Sequence, residues 1–200
     1  MLAACAGCGS DEPRDDAAQA AKDQPAAAAP GKSPRVSLAQ GRLSIDEHAV
    51  PLPGEPEQWR AALGPPTRSE QLAATETEPF VNVYIWDSAG IVAVERPDLA
   101  VVTKVSFVFQ PSKAKSANAA QGQLIPKSAF PGTLSIDGVD FDAATTPAKV
   151  NDRIAERFGG AKFEQLKTFP HTWNIAYAAW TITAITDIQG EQLVEIAIGE

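Results

Sequence analysis

The stretch Gly41-Arg-Leu-Ser-Ile-Asp46 returns 91 residues later as Gly132-Thr-Leu-Ser-Ile-Asp137, with five of the six positions identical. In the second copy, Asp137-Gly138 separates Leu-Ser-Ile from Val-Asp-Phe. An Asp-Gly pair between two alternating apolar stretches favours a type I′ turn, because both central residues of that turn take a positive φ. The second copy is therefore predicted to open with a β-hairpin, and the first copy with a similar short strand pair.

A short helix is predicted after the opening strands of the first copy. Pro56 suits the first helical position, Trp59 and Leu63 lie on one face, and Gly64 ends the stretch. Proline just inside the start and glycine just past the end are the usual boundaries of a helix. We expect Trp59 to point into the core, since a tryptophan at helical spacing buries a large apolar area.

The second copy has similar helix-boundary residues at the matching place. Thr146 is a plausible N-cap, Pro147 the first helical residue and Gly159 the stop. The apolar residues between them recur at helical spacing: Val150, Ile154 and Phe158. A second amphipathic helix is therefore predicted.

After each helix the apolar spacing changes from helical to alternating, which is typical of half-buried strands. The predicted strands are 80–86, 91–94 and 101–109 in the first copy and 173–179, 181–188 and 192–198 in the second. In the first of them, Asn82, Tyr84 and Trp86 share one face and Val81, Val83 and Ile85 the other, so that one of the two faces is expected to be exposed.

These elements predict an α+β fold with two tandem repeats, each a β-hairpin, one helix and about three antiparallel strands. The first repeat covers residues 36–110 and the second 130–200, joined by a flexible linker at 111–129 that is rich in Ser, Ala, Gln and Lys. A single repeat has a small core and is marginal alone, so the two are expected to pack together.

The N-terminus has a different character. Leu2-Ala-Ala-Cys5 resembles the bacterial lipobox, and this resemblance implies that Cys5 is acylated after signal-peptide cleavage; Cys8 is a weaker second candidate. Between Gly9 and Arg35 there is no Val, Ile, Leu, Met, Phe, Trp or Tyr. Residues 1–35 are therefore interpreted as a lipobox-like start followed by a disordered tether. The alternative is a cytosolic protein with an Ala-rich leader and two unrelated thiols.

The predicted layout of residues 36–200 is similar to the α+β units of envelope lipoproteins of the SmpA/OmlA type and to the tandem units of secreted β-lactamase inhibitor proteins. Trp86-Asp87-Ser88-Ala89-Gly90-Ile91, which follows Leu63-Gly64-Pro65, also resembles an uncharacterised bacterial domain group with a Trp-Asp-x-x-Gly-Ile motif. The second copy keeps Trp180 but lacks the Asp and Gly of this motif. A shared fold does not by itself transmit a function.

The composition and the absence of known motifs disfavour nucleic-acid binding, metal binding and catalysis. The formal charge of −8 disfavours a nucleic-acid binder, which needs a basic surface. His48 and His171 are the only histidines and stand outside any metal-ligand or catalytic spacing, and neither a nucleophile elbow nor a phosphate-binding glycine loop is present. Asp137, Asp140 and Asp142 do not match the calcium-loop spacing. We expect no enzyme activity, no cofactor and no metal.

These observations favour a non-enzymatic, lipid-anchored protein of the bacterial cell envelope, facing the periplasm or the cell exterior. Its tandem module would bind another protein, in an inhibitor, immunity or assembly role, and its acidic charge favours a basic partner. The alternative is a lipoprotein that binds a small ligand in a groove between the repeats, with Trp86 or Trp173 as a stacking wall. An apolar pocket of roughly 300 Å³ or more with convergent polar groups favours the ligand, and a flat or convex apolar patch favours the protein.

Overall fold

The computed structural model describes residues 33–73, 79–117 and 119–199, with the side chains of residues 115–121 left out. Cys5, Cys8 and almost all of the predicted tether lie outside these residues.

The described helices are α1 (Pro56–Leu63), α2 (Pro111–Ala117), α3 (Pro147–Arg157) and a 3₁₀ helix at Ala119–Leu124. The first seven strands are β1 (Arg35–Ala39), β2 (Arg42–Ile45), β3 (His48–Ala49), β4 (Arg68–Leu72), β5 (Val81–Trp86), β6 (Ile91–Arg96) and β7 (Val101–Val108). The remaining strands are β8 (Thr133–Ile136), β9 (Val139–Phe141), β10 (Glu164–Gln165), β11 (Thr172–Tyr177), β12 (Trp180–Thr186) and β13 (Leu193–Gly199).

Within the described part of the chain the strands form two sheets. The smaller sheet has the order β3-β2-β1-β8-β9, in which only the central β1–β8 pair is parallel. The larger sheet has eight antiparallel strands in the order β10-β11-β12-β13-β7-β6-β5-β4. Helices beside antiparallel sheets make this an α+β fold, as predicted.

The duplicated stretch lies in the smaller sheet, as strands β2 and β8. The turn after β8 has the geometry that its sequence predicts, with φ of 44° at Asp137 and 80° at Gly138. Strand β1 was not predicted; it lies between the two copies and pairs Leu38 with both Leu43 and Ile136. Strand β1 thus joins β2 and β8, the strands that carry the duplicated stretch, into one sheet.

The helices begin where proline predicts them to begin. At the start of α1, Glu55 and Gln58 form a reciprocal capping box. Thr146 takes the N-cap position of α3, but its buried hydroxyl has no hydrogen-bond partner among the described residues. The Lys149 amide instead donates to the Thr146 carbonyl oxygen at 3.0 Å, so the backbone closes this first turn without the hydroxyl.

The core lies between the two sheets. Trp59 of α1 and Val150 and Ile154 of α3 are fully buried in the same apolar cluster as the inner faces of both sheets. The inner face of the larger sheet contributes Trp86, Ile91, Ala93, Val105, Phe107, Ile182, Ala184, Ile196 and Ile198. The opposite face of this sheet is its outer face.

The segment predicted to be a flexible linker is structured over most of its length. Residues 111–117 and 119–130, which we call the crossover, contain α2 and the 3₁₀ helix and connect β7 to β8. Ala114 and Ile125 of the crossover pack with Val108 and Val194 on the outer face of the larger sheet. Its polar composition suggested a solvated connector because alternating apolar residues are absent, yet these apolar contacts and the buried Phe130 dock it.

Candidate functional site

The outer face of the larger sheet is apolar on the side of strands β5 and β6. Alternation along β5 and β6 turns Val81, Val83, Val92 and Val94 to this face, and Val83 lies directly opposite Val94. Val81, Val92 and Val94 remain half-buried instead of being covered. The sequence left open which face of β5 is exposed, and the structure places the valine face outside.

The same outer face is more polar on the side of strands β11 and β12. The outward positions of β12 and β11 include Thr181, Thr183, Thr172 and Asn174. Thr183 lies opposite Asn174 in the ladder, whereas Thr172 lies opposite Ile185 and Thr181 opposite Ala176. Because β-strand residues of the same alternation share a face, these side chains continue the valine surface across the sheet. The outer face therefore has an apolar half and a polar half.

A groove of about 1200 Å³ runs over the apolar half and the centre of this face. Leu72 lies at one border, and the crossover provides Ala114 and Ile125 along another. Phe169, just before β11, and Ile188, just after β12, are 63% and 78% exposed and also line the groove. Large apolar side chains that remain this exposed commonly mark an interaction surface.

Charged groups of both signs line the groove. Lys113 of the crossover is ion-paired with Asp187 at 2.7 Å, and the hydrogen bond from Lys113 lowers the pKa of the Asp187 carboxyl below its usual value. Lys104 and Glu195 also line the groove, and neither forms an ion pair with another described residue. The groove thus has valines on β5 and β6 and charged groups on β7, β13 and the crossover.

A buried ion pair holds the crossover beside the groove. Asp87, whose side chain is 7% exposed, accepts hydrogen bonds from Arg68 Nε at 3.0 Å and Nη2 at 3.2 Å. Asp87 Oδ1 also accepts the Lys127 backbone N–H at 2.9 Å, and Arg68 donates to the carbonyl oxygens of Gln123 and Ile125. The hydrogen bonds from Arg68 lower the pKa of the Asp87 carboxyl. Asp87 and Arg68 together fasten the crossover to the β5–β6 turn.

The other residues of the Trp-Asp-x-x-Gly-Ile motif have structural contacts as well. Trp86 Nε1 donates to the Gly64 carbonyl oxygen at 2.9 Å, which ties β5 to the end of α1. Gly90 has a positive φ of 64°, and a Cβ built there would lie 2.2 Å from the Phe130 backbone nitrogen. The motif therefore shapes the turn over which the crossover passes.

The tryptophans do not form a wall of the groove. Trp59, Trp86 and Trp180 are buried in the core, and Trp173 packs against it from a half-buried position. Trp180 Nε1 donates to the Leu52 carbonyl oxygen at 2.8 Å. Trp86 and Trp173, the predicted stacking wall of a groove between the repeats, lie on the inner side of the sheet and do not line this groove.

The two histidines lie in different surroundings. His48 is exposed in β3, and His171 lines the groove immediately before β11, beside Phe169 and Pro170. Asp140 and Asp142 are exposed, as the hairpin alternation predicts. Among the described residues, no cluster of three or more His, Cys, Asp or Glu side chains is arranged to hold a metal ion.

Sequence reasoning missed both the groove and the buried ion pair. The contrast between valines on β5 and β6 and threonines on β12 was a readable signal, but its meaning depends on which face is outside. Asp87 and Arg68 are 19 residues apart and gave no spacing signal. No helix of the described residues is long and apolar enough to cross a membrane.

Comparison with known proteins gives a family and no function. No curated protein and no solved structure matches the chain significantly. The family match covers residues 35–151, which include the whole smaller sheet, β4–β7, the crossover and the first turns of α3. The chain therefore belongs to the family described as a domain of unknown function, DUF7738.

Proposed function

We propose that this protein is a non-enzymatic binding protein that holds an apolar segment of another protein in the groove on the outer face of the larger sheet. The observation that carries the proposal is the valine floor, in which Val81, Val92 and Val94 are only partly covered, with the exposed Phe169 and Ile188 at its border. Burying such a surface against a partner is favourable by about 25 cal/mol per Å² of apolar area.

The groove is part of a proposed tandem module of two α+β repeats. In this assignment each repeat contributes a strand pair, one helix and four further strands: β2, β3, α1 and β4–β7, followed by β8, β9, α3 and β10–β13. Two features of the sequence support it: β2 and β8 share identical residues, and α1 and α3 both begin with proline. The larger sheet supports it as well, because β4–β7 run inward from one edge in the same order as β10–β13 run inward from the other, and the two sets meet at the β13–β7 pair. A duplication therefore accounts for one continuous face broad enough to hold a polypeptide segment.

A protein segment suits the groove better than an enclosed small molecule does. Small-ligand cavities commonly surround most of the ligand, whereas this groove lies on an open sheet face. Protein interfaces combine apolar contacts with polar ones, and in this groove the valines of β5 and β6 lie beside Lys104, Lys113 and Glu195. The polar half of the same face extends the contact without adding apolar area.

The test is an array of immobilised random decapeptides probed with the full chain. We expect bound peptides to be rich in Val, Ile, Leu and Phe, and the Val94→Glu variant to bind them at least about 10-fold more weakly, because a carboxylate in the floor must be desolvated. Val94 lies opposite Lys104 in the ladder, so the new carboxylate has a cross-strand partner and the fold is retained.

The matched control is Thr181→Glu, which adds the same charge to an exposed position in the polar half of the same face. It should change peptide binding by less than about twofold, as expected for a charge outside the contact region. Equal losses in both variants, or an array on which apolar peptides show no preference, would contradict the proposal.

A second candidate function is the binding of a small apolar ligand, which the volume of about 1200 Å³ favours because it exceeds what such a ligand needs. The full chain purified from its native host would then carry that ligand. Organic extraction followed by mass spectrometry would reveal a stoichiometric apolar compound in the wild-type protein and a reduced amount in Val94→Glu. Extracts without such a compound favour the protein segment.

We also propose that the module is held at the bacterial cell envelope by acylation of Cys5. The lipobox-like Leu2-Ala-Ala-Cys5 and the tether without large apolar residues support this location. With the gene in its native context, we expect Cys5→Ser to move the protein from the membrane fraction to the soluble fraction, because the thiol that accepts the lipid is lost. Cys8→Ser is the matched control and should stay with the membrane. Unchanged partitioning of Cys5→Ser would exclude this anchor.

A further inference from the structure

A buried carboxylate on the inner side of the larger sheet has no role in the groove. Glu95 lies near the end of β6, just past the irregularity between Val94 and Glu95, and is only 8% exposed. Its Oε2 accepts hydrogen bonds from the Tyr84 hydroxyl at 2.5 Å and from Asn82 Nδ2 at 2.9 Å. Both donors are neutral and come from the neighbouring strand β5.

The two neutral donors leave the charge of Glu95 without a direct cationic partner. No hydrogen bond to Oε1 joins it to a described residue. Burial and the hydrogen bond to Glu95 raise the pKa of Tyr84, so its hydroxyl remains protonated and continues to donate. A desolvated carboxylate that lacks a counter-charge is costly, and an approaching cation relieves that cost.

The arginine that lies against Tyr84 is already engaged with other groups. Arg60 of α1 donates from Nη1 to Glu57 Oε1 at 2.9 Å, and its guanidinium carbon lies 5.2 Å from the centre of the Tyr84 ring. Arg60 therefore pairs with a rim carboxylate and covers the phenol ring, while the carboxylate of Glu95 is paired only with neutral donors.

These groups line an open polar pocket of about 420 Å³ between α1 and strands β5 and β6. Its charged lining residues are Glu55, Glu57, Glu95 and Arg60. Three of them are acidic and one is basic, so the formal charge of the lining is −2. The pocket is small, negatively charged and floored by a fixed hydrogen-bonded carboxylate.

We propose that this pocket binds a primary ammonium or guanidinium group, with the Glu95 carboxylate as its counter-ion. The group would come either from a lysine or arginine side chain of a partner protein or from a free polyamine. Tyr84 and Asn82 hold the carboxylate in place, so the cation meets a pre-oriented acceptor and little ordering is needed on binding. The pocket lies on the opposite side of the sheet from the groove, and the inference stands independently of the proposed function.

The experiment is a titration of the ¹⁵N-labelled full chain monitored by NMR. The probes are Nα-acetyl-lysine methylamide, Nα-acetyl-arginine methylamide and spermidine. N-acetyl-norleucine methylamide, which lacks the charge, is the control ligand. We expect saturable shifts at residues 55–60, 82–84 and 95 with a Kd below about 5 mM for at least one cationic probe, and no such shifts with norleucine. Binding of the amino-acid probes indicates a partner side chain as the source, and binding of spermidine alone indicates a free polyamine.

The variant Glu95→Gln keeps the shape of the side chain and removes its charge. It should weaken binding of the cationic probe at least about 10-fold, as expected when a desolvated charge loses its partner. Glu156→Gln, at an exposed position of α3, removes the same charge from the protein and should leave the Kd unchanged. The comparison of lysine with norleucine uses the wild-type chain and decides the matter even where Glu95→Gln does not fold. The proposal is overturned if no cationic probe binds, if norleucine binds equally, or if both variants weaken binding to the same extent.

Discussion

Replacing Gly90 by alanine is expected to destabilise the protein by at least about 4 kcal/mol, in the range reserved for severe core or backbone conflicts. The added Cβ would lie 2.2 Å from the Phe130 nitrogen and 2.5 Å from its Cα. Both atoms belong to backbone, so a rotamer change cannot relieve the clash. Val108 N–H also donates to the Gly90 carbonyl oxygen at 2.9 Å, which prevents the turn from moving away alone. Urea unfolding followed by circular dichroism measures the loss.

Gly138→Ala separates this clash from the cost of a positive φ. Gly138 has a φ of 80°, but a Cβ there meets nothing within 4 Å. Its loss should be limited to the strain of a left-handed backbone, about 1–2 kcal/mol. If both variants lose the same stability, the close passage of the crossover over Gly90 is not what requires glycine there.

Asp87→Asn is expected to cost about 3 kcal/mol of folding stability, because removing one partner of a buried pair leaves the other without compensation. The amide NH₂ would face donors: Arg68 and the Lys127 backbone N–H both need an acceptor at this point. The crossover should loosen first, since Arg68 and Asp87 hold it at Gln123, Ile125 and Lys127. Hydrogen exchange of the crossover amides, compared with those of β12, reports this loss directly.

The same variant should remove part of the acid sensitivity of the fold. The pKa of Asp87 is lower in the folded chain than in the unfolded chain. The stabilisation that Asp87 provides is therefore fully present at a pH above the unfolded-state pKa, and it is lost as the pH falls through the folded-state pKa. Between about pH 5 and pH 2, wild-type stability should therefore fall more steeply than that of Asp87→Asn.

The control for both effects is Asp98→Asn. Asp98 pairs with Arg96 at 2.6 Å, but its side chain is 53% exposed. Exposed pairs of this kind contribute little to stability. We expect no resolvable change in the free energy of unfolding for Asp98→Asn, and a change as large as that of Asp87→Asn would mean that burial is not the deciding factor.

Local pattern was sufficient for most elements of the fold. The prolines at 56 and 147 mark the beginnings of α1 and α3, and alternation locates β5, β6 and β7 to within a few residues of their observed bounds. These predictions are confirmed because proline geometry and the two-residue repeat of a strand act within a few neighbours along the chain. Thr146 was placed correctly at an N-cap, although its hydroxyl does not form the expected bond.

The groove and the buried pair depend on contacts that are distant in sequence. The contrast between Val94 and Thr183 can be read from the chain, but whether these residues face the core or solvent depends on where the smaller sheet and the helices pack. In the same way, Arg68 meets Asp87 only because β4 pairs with β5 and the crossover returns over their turn.

By itself, the sequence determined the α+β class, the helix starts, the strand alternation and the repeated Leu-Ser-Ile strands, since each of these follows from short-range backbone and side-chain preferences. Only the tertiary structure decided that β13 pairs with β7 into one broad sheet, that the crossover docks on its outer face, and that valines are only partly covered there. The reason is that a strand offers two faces and two edges of similar chemistry, and the choice between them is made by the total area buried when all elements pack together.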